Sequence, residues 1–178
     1  MTTTENNNNN PSNTTATTAT DNNNDDNEAF MIQVTENLPS LEDCYNFVVT
    51  GTSGAVSTFV GITRDNYQGK QVAKLSYEGY VPMAVKELRK LCRDARTKYS
   101  SIDKIAAVHI LGDCPVGQAS VILAASSPHR RDAMHCTEYL IDELKRRIPI
   151  WKREVYEGDL GSVWKENAET RQMERFDV

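Results

Sequence analysis

The sequence predicts an α+β fold with a mixed, largely antiparallel sheet and two long helices, preceded by a disordered Asn-rich tail. Hairpin-like pairs of strand segments stand on either side of helical segments, which favours antiparallel neighbours. Two segments repeat apolar residues every three or four positions, the spacing of a helix with one buried face. The first 28 residues are nearly all Asn, Thr, Asp and Ser, with no Lys, Arg or aromatic residue. Such a segment buries too little apolar surface to offset its ordering entropy, so we expect it to be disordered.

The first half of the folded region alternates short strand and helix patterns. We expect an edge strand at 30–34, a helix at 41–49, a β-rich strand at 55–62, a loop at 65–70 and a returning strand at 72–77. Ser40 is suited to cap the first helix. The strand at 55–62 delivers Thr63 and Arg64 to its C-terminal end, which marks this end as a candidate site.

The second half holds the two long helices and the strongest strands. We expect a helix from Pro82 to about residue 99, strands at 105–111 and 119–125 joined by a turn at 112–117, a helix within 126–154, and a last strand at 151–156. Pro149 forbids continuation of the second long helix, and basic residues lie at both of its ends. We divide the chain into a tail at 1–28, a folded domain at 29–166 and a charged C-terminal tail at 167–178.

Charge and composition exclude several classes of protein. Without the five acids of the tail, acidic and basic residues balance at 20 each, so neither a nucleic-acid-binding surface nor a membrane surface is expected. No apolar run is long enough for a membrane span, and no signal or transit peptide pattern is visible. The four cysteines are scattered without a CxxC pair, which argues against a zinc site and favours a reduced, cytosolic protein.

The residues that remain as candidates for chemistry are basic. The sequence has no dinucleotide-binding, P-loop, metalloprotease or nucleophile-elbow motif. Lys145 is the candidate nucleophile or acid/base, because neighbouring cations such as Arg146, Arg147 and Lys152 favour a neutral amine. Arg64 and Arg130 suit an anion, which a guanidinium grips with two parallel hydrogen bonds, and His129 could add a third contact. Taken singly, each of these residues is more often structural than functional.

Three motifs in order resemble one known family: GITR at 61–64, SSPHRR at 126–131 and LKRRIPIWKRE at 144–154. Together they resemble the large, catalytic subunit of molybdopterin synthase, over residues 30–164. The resemblance implies an α/β hammerhead-like fold and an enzyme of molybdenum cofactor biosynthesis. It implies sulfur transfer to a cyclic pyranopterin monophosphate, precursor Z, with no metal or other cofactor. The sulfur donor would be the C-terminal glycine thiocarboxylate of a ubiquitin-like small subunit, and two large subunits would form a homodimer within a heterotetramer.

The resemblance also implies roles for individual residues. Lys145 matches the essential lysine of the family and Lys152 its second active-site lysine. The remaining matches would bind the substrate: Arg64, His129, Arg130, Arg153 and Glu154. In one respect the chain departs from the family, because a basic residue that often follows the late tryptophan is replaced here by Ala168. Lys165 or Arg171 could supply that contact instead.

Two questions follow from the sequence. A non-catalytic docking module for a ubiquitin-like partner is the alternative to an enzyme, although it would have no reason to keep the basic residues together. A phosphate- or RNA-binding domain is disfavoured by the neutral folded region. The second question concerns Arg130 and Lys145, which lie 15 residues apart on one predicted helix and therefore about 22 Å apart. One small substrate cannot reach both, so we expect the two ends of the helix to serve different sites of a dimer.

Overall fold

The computed structural model describes residues 28–156 and the backbone of residues 162–165. The predicted tail at 1–28, apart from residue 28, and the predicted C-terminal tail at 167–178 lie outside these residues. Twelve elements follow one another in the described ranges: β1 Phe30–Thr35, α1 Leu41–Val48, β2 Ala55–Ile62, β3 Asn66–Tyr67, β4 Lys70–Gly79, α2 Val81–Lys98, β5 Ile105–Ile110, β6 Gly112–Pro115, β7 Ala119–Ser127, α3 Arg130–Arg147, β8 Ile150–Tyr156 and β9 Ser162–Lys165.

The first sheet has the strand order β1-β5-β7-β2 and carries helices on both faces. β1 is an edge strand, as predicted, and runs parallel to β5, whereas β7 runs antiparallel to both β5 and β2. Helices α2 and α3 cover one face, where Leu88 and Leu140 pack against Leu123. Helix α1 covers the other face with Cys44 and Val48. Strand β5 is therefore apolar on both faces, which explains its continuous run of buried residues.

The second sheet is antiparallel and is built around β4. β4 pairs with β3, β6 and β8, and β8 pairs in turn with β9. The predicted turn at 112–117 is therefore wrong in part, since Gly112–Pro115 forms β6. Gly112 and Gly117 have φ of 79° and 83° and turn the chain on either side of this strand. The predicted strand at 151–156 is confirmed as β8, but it is not the last strand, because β9 follows it.

The ends of the three helices follow from the sequence. Ser40 accepts a hydrogen bond from the Asp43 amide and Asp43 accepts one from the Ser40 amide, a capping box that begins α1. Pro82 lies in the first turn of α2, and α3 ends two residues before Pro149. Helices α2 and α3 each have 18 residues, so the two predicted long helices and the α+β class are confirmed. Among the described residues, no helix combines the length and the apolar content that crossing a bilayer requires.

Candidate active site

A cleft of about 400 Å³ opens where the two sheets meet the C-terminal end of α3. Its apolar walls come from all three of these elements: Phe59, Val72, Leu75, Val121, Ile141, Leu144, Ile148 and Ile150. Its polar side chains are Arg64, Tyr67, Tyr77, His109, Ser120, Lys145, Lys152 and Glu154. A cavity of this size with mixed walls and a few converging polar groups is typical of a small-molecule site.

The two lysines reach the cleft from opposite sides of the Pro149 break. Lys145 lies in the last turn of α3, and Leu144 beside it is buried in the core. Lys152 lies on β8, which begins at Ile150. Because side chains alternate along a strand, Lys152 and Glu154 face the cleft together. The helix end and the strand start thus bring both lysines of one short sequence motif to the same cavity.

Arg64 lies at the mouth of the cleft, where β2 ends. Thr63 before it is buried, and its hydroxyl donates to Sγ of Cys114 at 3.2 Å. The Thr63 amide donates to Gln118 at 3.0 Å, so the strand end is fixed and Arg64 is exposed beyond it. The Arg64 guanidinium lies 5.7 Å from the centre of the Tyr67 ring, a cation–π contact. This contact orients a cation over the cavity without neutralising its charge.

Glu154 is the acidic member of the cleft and is 2% exposed. The Tyr156 hydroxyl donates to Oε2 of this carboxylate at 2.5 Å, and Nζ of Lys152 lies 3.9 Å from Oε1. The carboxylate is therefore held from two sides. Short O–H···O⁻ bonds are among the stronger hydrogen bonds in proteins.

His109 and Tyr77 also line the cleft, and neither was predicted from the sequence. Nδ1 of His109 lies 2.7 Å from the Ile110 carbonyl oxygen, so Nδ1 carries the hydrogen and Nε2 is left as an acceptor. Burial lowers the pKa of His109 to about 4, which keeps the ring neutral at pH 7. Tyr77 contacts it edge to face with ring centres 4.9 Å apart. Burial raises the pKa of Tyr77, so its phenol also stays neutral.

His129 and Arg130 do not line the cleft. They are exposed at the N-terminal end of α3, which runs without a break from Arg130 to Arg147. Fifteen residues of helix place Arg130 about 22 Å from Lys145 along the axis. The sequence therefore predicted correctly that the two basic ends are separate, and no single chain brings all the predicted residues together.

Arg153 lies on the opposite face of β8 from Lys152. In the register it stands opposite Ser76 of β4, and Asp113 stands opposite Ser76 from the other side. The hydrogen bond from Lys74 lowers the pKa of Asp113, and the charge of Arg153 adds to this effect. Arg153 therefore does not line the cleft with Glu154, because neighbouring residues of a strand point to opposite faces, and its role in substrate binding stays a prediction.

Arg146 and Arg147 have carboxylate partners away from the cleft. Arg146 pairs with Glu143 at 2.8 Å, and Arg147 pairs with Asp94 at 2.8 Å. From the sequence alone, both arginines are expected to favour the neutral amine of Lys145. Their ion pairs weaken that influence, and the cations that share a cavity with Lys145 are Lys152 and Arg64. Within residues 28–156, no group of His, Cys, Asp and Glu is arranged to hold a metal ion.

The similarity of the chain to known proteins agrees with this geometry. The family profile described as MoaE protein matches residues 34–147. The molybdopterin synthase catalytic subunit of Drosophila sechellia is 56% identical over 117 residues, which are 66% of this chain and 32% of that protein. The corresponding Drosophila melanogaster protein is 54% identical over 117 residues, again 66% and 32% of the two chains. The chain thus spans about a third of the length of the curated relatives it matches.

Solved structures share the fold. Molybdopterin synthase from Staphylococcus aureus matches with a TM-score of 0.70 and 33% identity, over 74% of this chain and 94% of that one. A Helicobacter pylori complex of subunits 1 and 2 of molybdopterin-converting factor matches with a TM-score of 0.61 over 77% and 90% of the two chains. Its 23% identity shows a shared fold only. From the profile match and the Staphylococcus aureus similarity, this chain belongs to the MoaE protein family.

Proposed function

We propose that this chain is the catalytic subunit of a molybdopterin synthase, which transfers sulfur to a cyclic pyranopterin monophosphate, precursor Z. The sulfur comes from the C-terminal glycine thiocarboxylate of a ubiquitin-like small subunit. The names of the relatives support this activity. The single observation that carries the proposal is the convergence of Arg64, Lys145 and Lys152 on one cleft. Reduced, buried cysteines support a cytosolic reaction.

The charges of the cleft suit both anionic reactants. Precursor Z carries a phosphate, and the thiocarboxylate at the end of the small subunit is also an anion. Arg64 at the mouth is suited to grip an oxyanion with two parallel hydrogen bonds. The apolar wall from Ile141 to Ile150 suits the flat pterin ring. His109 is neutral, so the cavity attracts anions through Arg64, Lys145 and Lys152 rather than through the imidazole.

The lysines suit the chemistry of sulfur release. The thiocarboxylate sulfur attacks a substrate carbon, the C–O bond at that carbon breaks, and its oxygen leaves with a proton. A thioester then joins the small subunit to the pterin. Water then attacks the thioester carbonyl, which passes through a tetrahedral oxyanion. The C–S bond to glycine breaks, the sulfur stays on the pterin, and the small subunit leaves as a carboxylate. An ammonium group of Lys145 within hydrogen-bond reach stabilises that oxyanion, and Lys152 supports the developing charge.

The position of His129 and Arg130 supports a shared site in a homodimer of large subunits. In a two-fold dimer, one end of α3 of each chain can face the other end of α3 of its partner. His129 and Arg130 of the partner subunit then complete the anion site beside Lys145. A heterotetramer with one small subunit at each end fits this arrangement. Arg153, on the other face of β8, has no place in this proposal as a substrate-binding residue.

Reconstitution tests the proposal. The full chain is mixed with a thiocarboxylated small subunit and precursor Z, and molybdopterin is measured by mass spectrometry. We expect product with the wild-type chain and none with Lys145→Ala. Binding of the small subunit by both chains without product from either would instead support the docking module. Product formed at equal rates by both chains would remove Lys145 from the mechanism.

A further inference from the structure

A row of three polar side chains on β8 leads away from the cleft into the protein. Lys152, Glu154 and Tyr156 are spaced by two residues and share one face of the strand. Lys152 and Glu154 line the cleft, whereas Tyr156 does not. Tyr156 is 7% exposed, and its ring carries the Lys70 ammonium at 5.5 Å from its centre. The row therefore runs from the cavity to a buried phenol that does not line the cleft.

The hydrogen bond from Tyr156 determines which oxygen of the Glu154 carboxylate faces Lys152. The phenol donates to Oε2 at 2.5 Å, and the other oxygen, Oε1, lies 3.9 Å from Nζ of Lys152. Each oxygen of the carboxylate thus has its own partner. Because Glu154 is only 2% exposed, water cannot freely replace the phenol as a donor, so loss of the hydroxyl would change the orientation of the carboxylate. Lys152 is the preceding residue on the same face of β8, and its charge lies 3.9 Å from Oε1.

Strand β4 adds a second constraint at the same point. Val72 of β4 stands opposite Tyr156, and Lys74 stands opposite the preceding residue of β8, so β4 has a bulge at Ala73. Bulges bend a strand and redirect its side chains. The irregularity lies beside Tyr156 and not beside Lys152, where Tyr77 pairs in regular register. The strand pairing is thus irregular at Tyr156, whose phenol is buried.

From this geometry we infer that Tyr156 is a positioning residue for the proposed sulfur transfer. Its hydroxyl fixes one oxygen of Glu154, and Glu154 thereby holds the Lys152 ammonium at the wall of the cleft. The inference rests on the proposed function for its kinetic test, but the position of Lys152 can be measured without turnover. Tyr156 forms no bond with substrate and acts through two other side chains.

Tyr156→Phe is the variant that removes the hydroxyl and keeps the ring. We expect kcat to fall about tenfold, the rate equivalent of one hydrogen bond to a charged group, with KM changed less than about threefold. Tyr99→Phe is the matched control, because Tyr99 is half-buried and lies 5.7 Å from a lysine ammonium but is remote from the cleft. The control should keep wild-type kcat. Equal kcat for Tyr156→Phe and wild type would overturn the inference.

A double-mutant cycle separates positioning from loss of packing. If Tyr156 acts through Glu154, then Glu154→Gln with Tyr156→Phe should lose little more than Glu154→Gln alone. If the fold-losses in kcat of the two single variants instead multiply in the double variant, Tyr156 does not act through Glu154. The Lys152 side chain, labelled with ¹³C at Cε and assigned with Lys152→Arg, gives a readout independent of catalysis. Its resonance should move in Tyr156→Phe and stay in Tyr99→Phe. An unmoved resonance in a folded Tyr156→Phe protein would exclude the role even if the sulfur-transfer proposal failed.

Discussion

Mixing two inactive variants tests whether each active site is shared by two chains. Helix α3 places Arg130 and Lys145 at opposite ends of 18 unbroken residues, about 22 Å apart. Arg130→Ala and Lys145→Ala chains should each be inactive. In a mixed dimer, one site would carry both defects and the other neither. Random exchange of equal amounts makes about half of the dimers mixed, so about a quarter of wild-type activity should return.

The assay is molybdopterin formation after exchange, with the fraction of mixed dimers measured by native mass spectrometry. The matched control mixes Lys145→Ala with Lys152→Ala chains. Both residues line the same cleft, so each site of the mixed dimer keeps one defect and activity should not return. Exchange without recovery in the Arg130→Ala mixture would place each site within a single chain and refute the reasoning.

Four further outcomes are expected. Lys145→Ala should abolish sulfur transfer while small-subunit binding survives, and Lys145→Arg should also fail because the larger, planar guanidinium places its charge differently from an ammonium. A chain without residues 1–28 should keep its melting temperature and turnover, since that segment has no apolar anchor. His109 has a folded pKa of about 4 against 6.5 unfolded, so the unfolded state binds more protons and stability falls as pH drops through this window. Between pH 7 and 5, protonation of His109 in the unfolded state should lower the free energy of unfolding, measured in urea, by about 2 kcal/mol. Gly54→Ala should lower the free energy of unfolding by roughly 1–3 kcal/mol, because the new Cβ would lie 2.3 Å from a backbone carbonyl oxygen.

Each of these outcomes has its own control. Binding lost together with activity in Lys145→Ala would indicate a damaged docking surface. A lower melting temperature of the truncated chain would show that the tail packs on the domain. In His109→Gln, the free energy of unfolding should depend less on pH between 7 and 5. An equal pH dependence in the variant and the wild type would mean that other groups cause it. Gly51→Ala meets no atom within 4 Å, so it should be near neutral in the same urea titration.

The sequence was sufficient for the three helices, for most of the strands and for half of the cleft. Periodicity, Ser40, Pro82 and Pro149 fixed where the three helices begin and end, because caps and prolines act locally. The spacing of Lys152 and Glu154 on a strand was enough to place both on one face. Because side chains alternate along a strand, Arg153 faces away from the cleft, although it stands between Lys152 and Glu154 in the sequence.

What the sequence could not reveal depends on pairing between distant segments. No local pattern near Gly112–Pro115 predicts a strand, because Gly and Pro are typical of turns. The strand forms by pairing with β4, which lies about 40 residues earlier in the chain. His109 was overlooked although it is the one polar residue in an otherwise apolar strand. Its neighbour Tyr77 arrives from the second sheet, so only the packing of the two sheets shows that both line the cleft.

The most direct test of the central claim follows the sulfur atom itself. A small subunit with a ³⁴S-labelled thiocarboxylate is incubated with precursor Z and the full chain, and the product is analysed by mass spectrometry. We expect molybdopterin with the label in both dithiolene sulfurs for the wild-type chain, and no labelled product for Lys145→Ala. Unlabelled molybdopterin, or label that stays on the small subunit while the wild-type chain binds it, would contradict the claim that this cleft transfers sulfur.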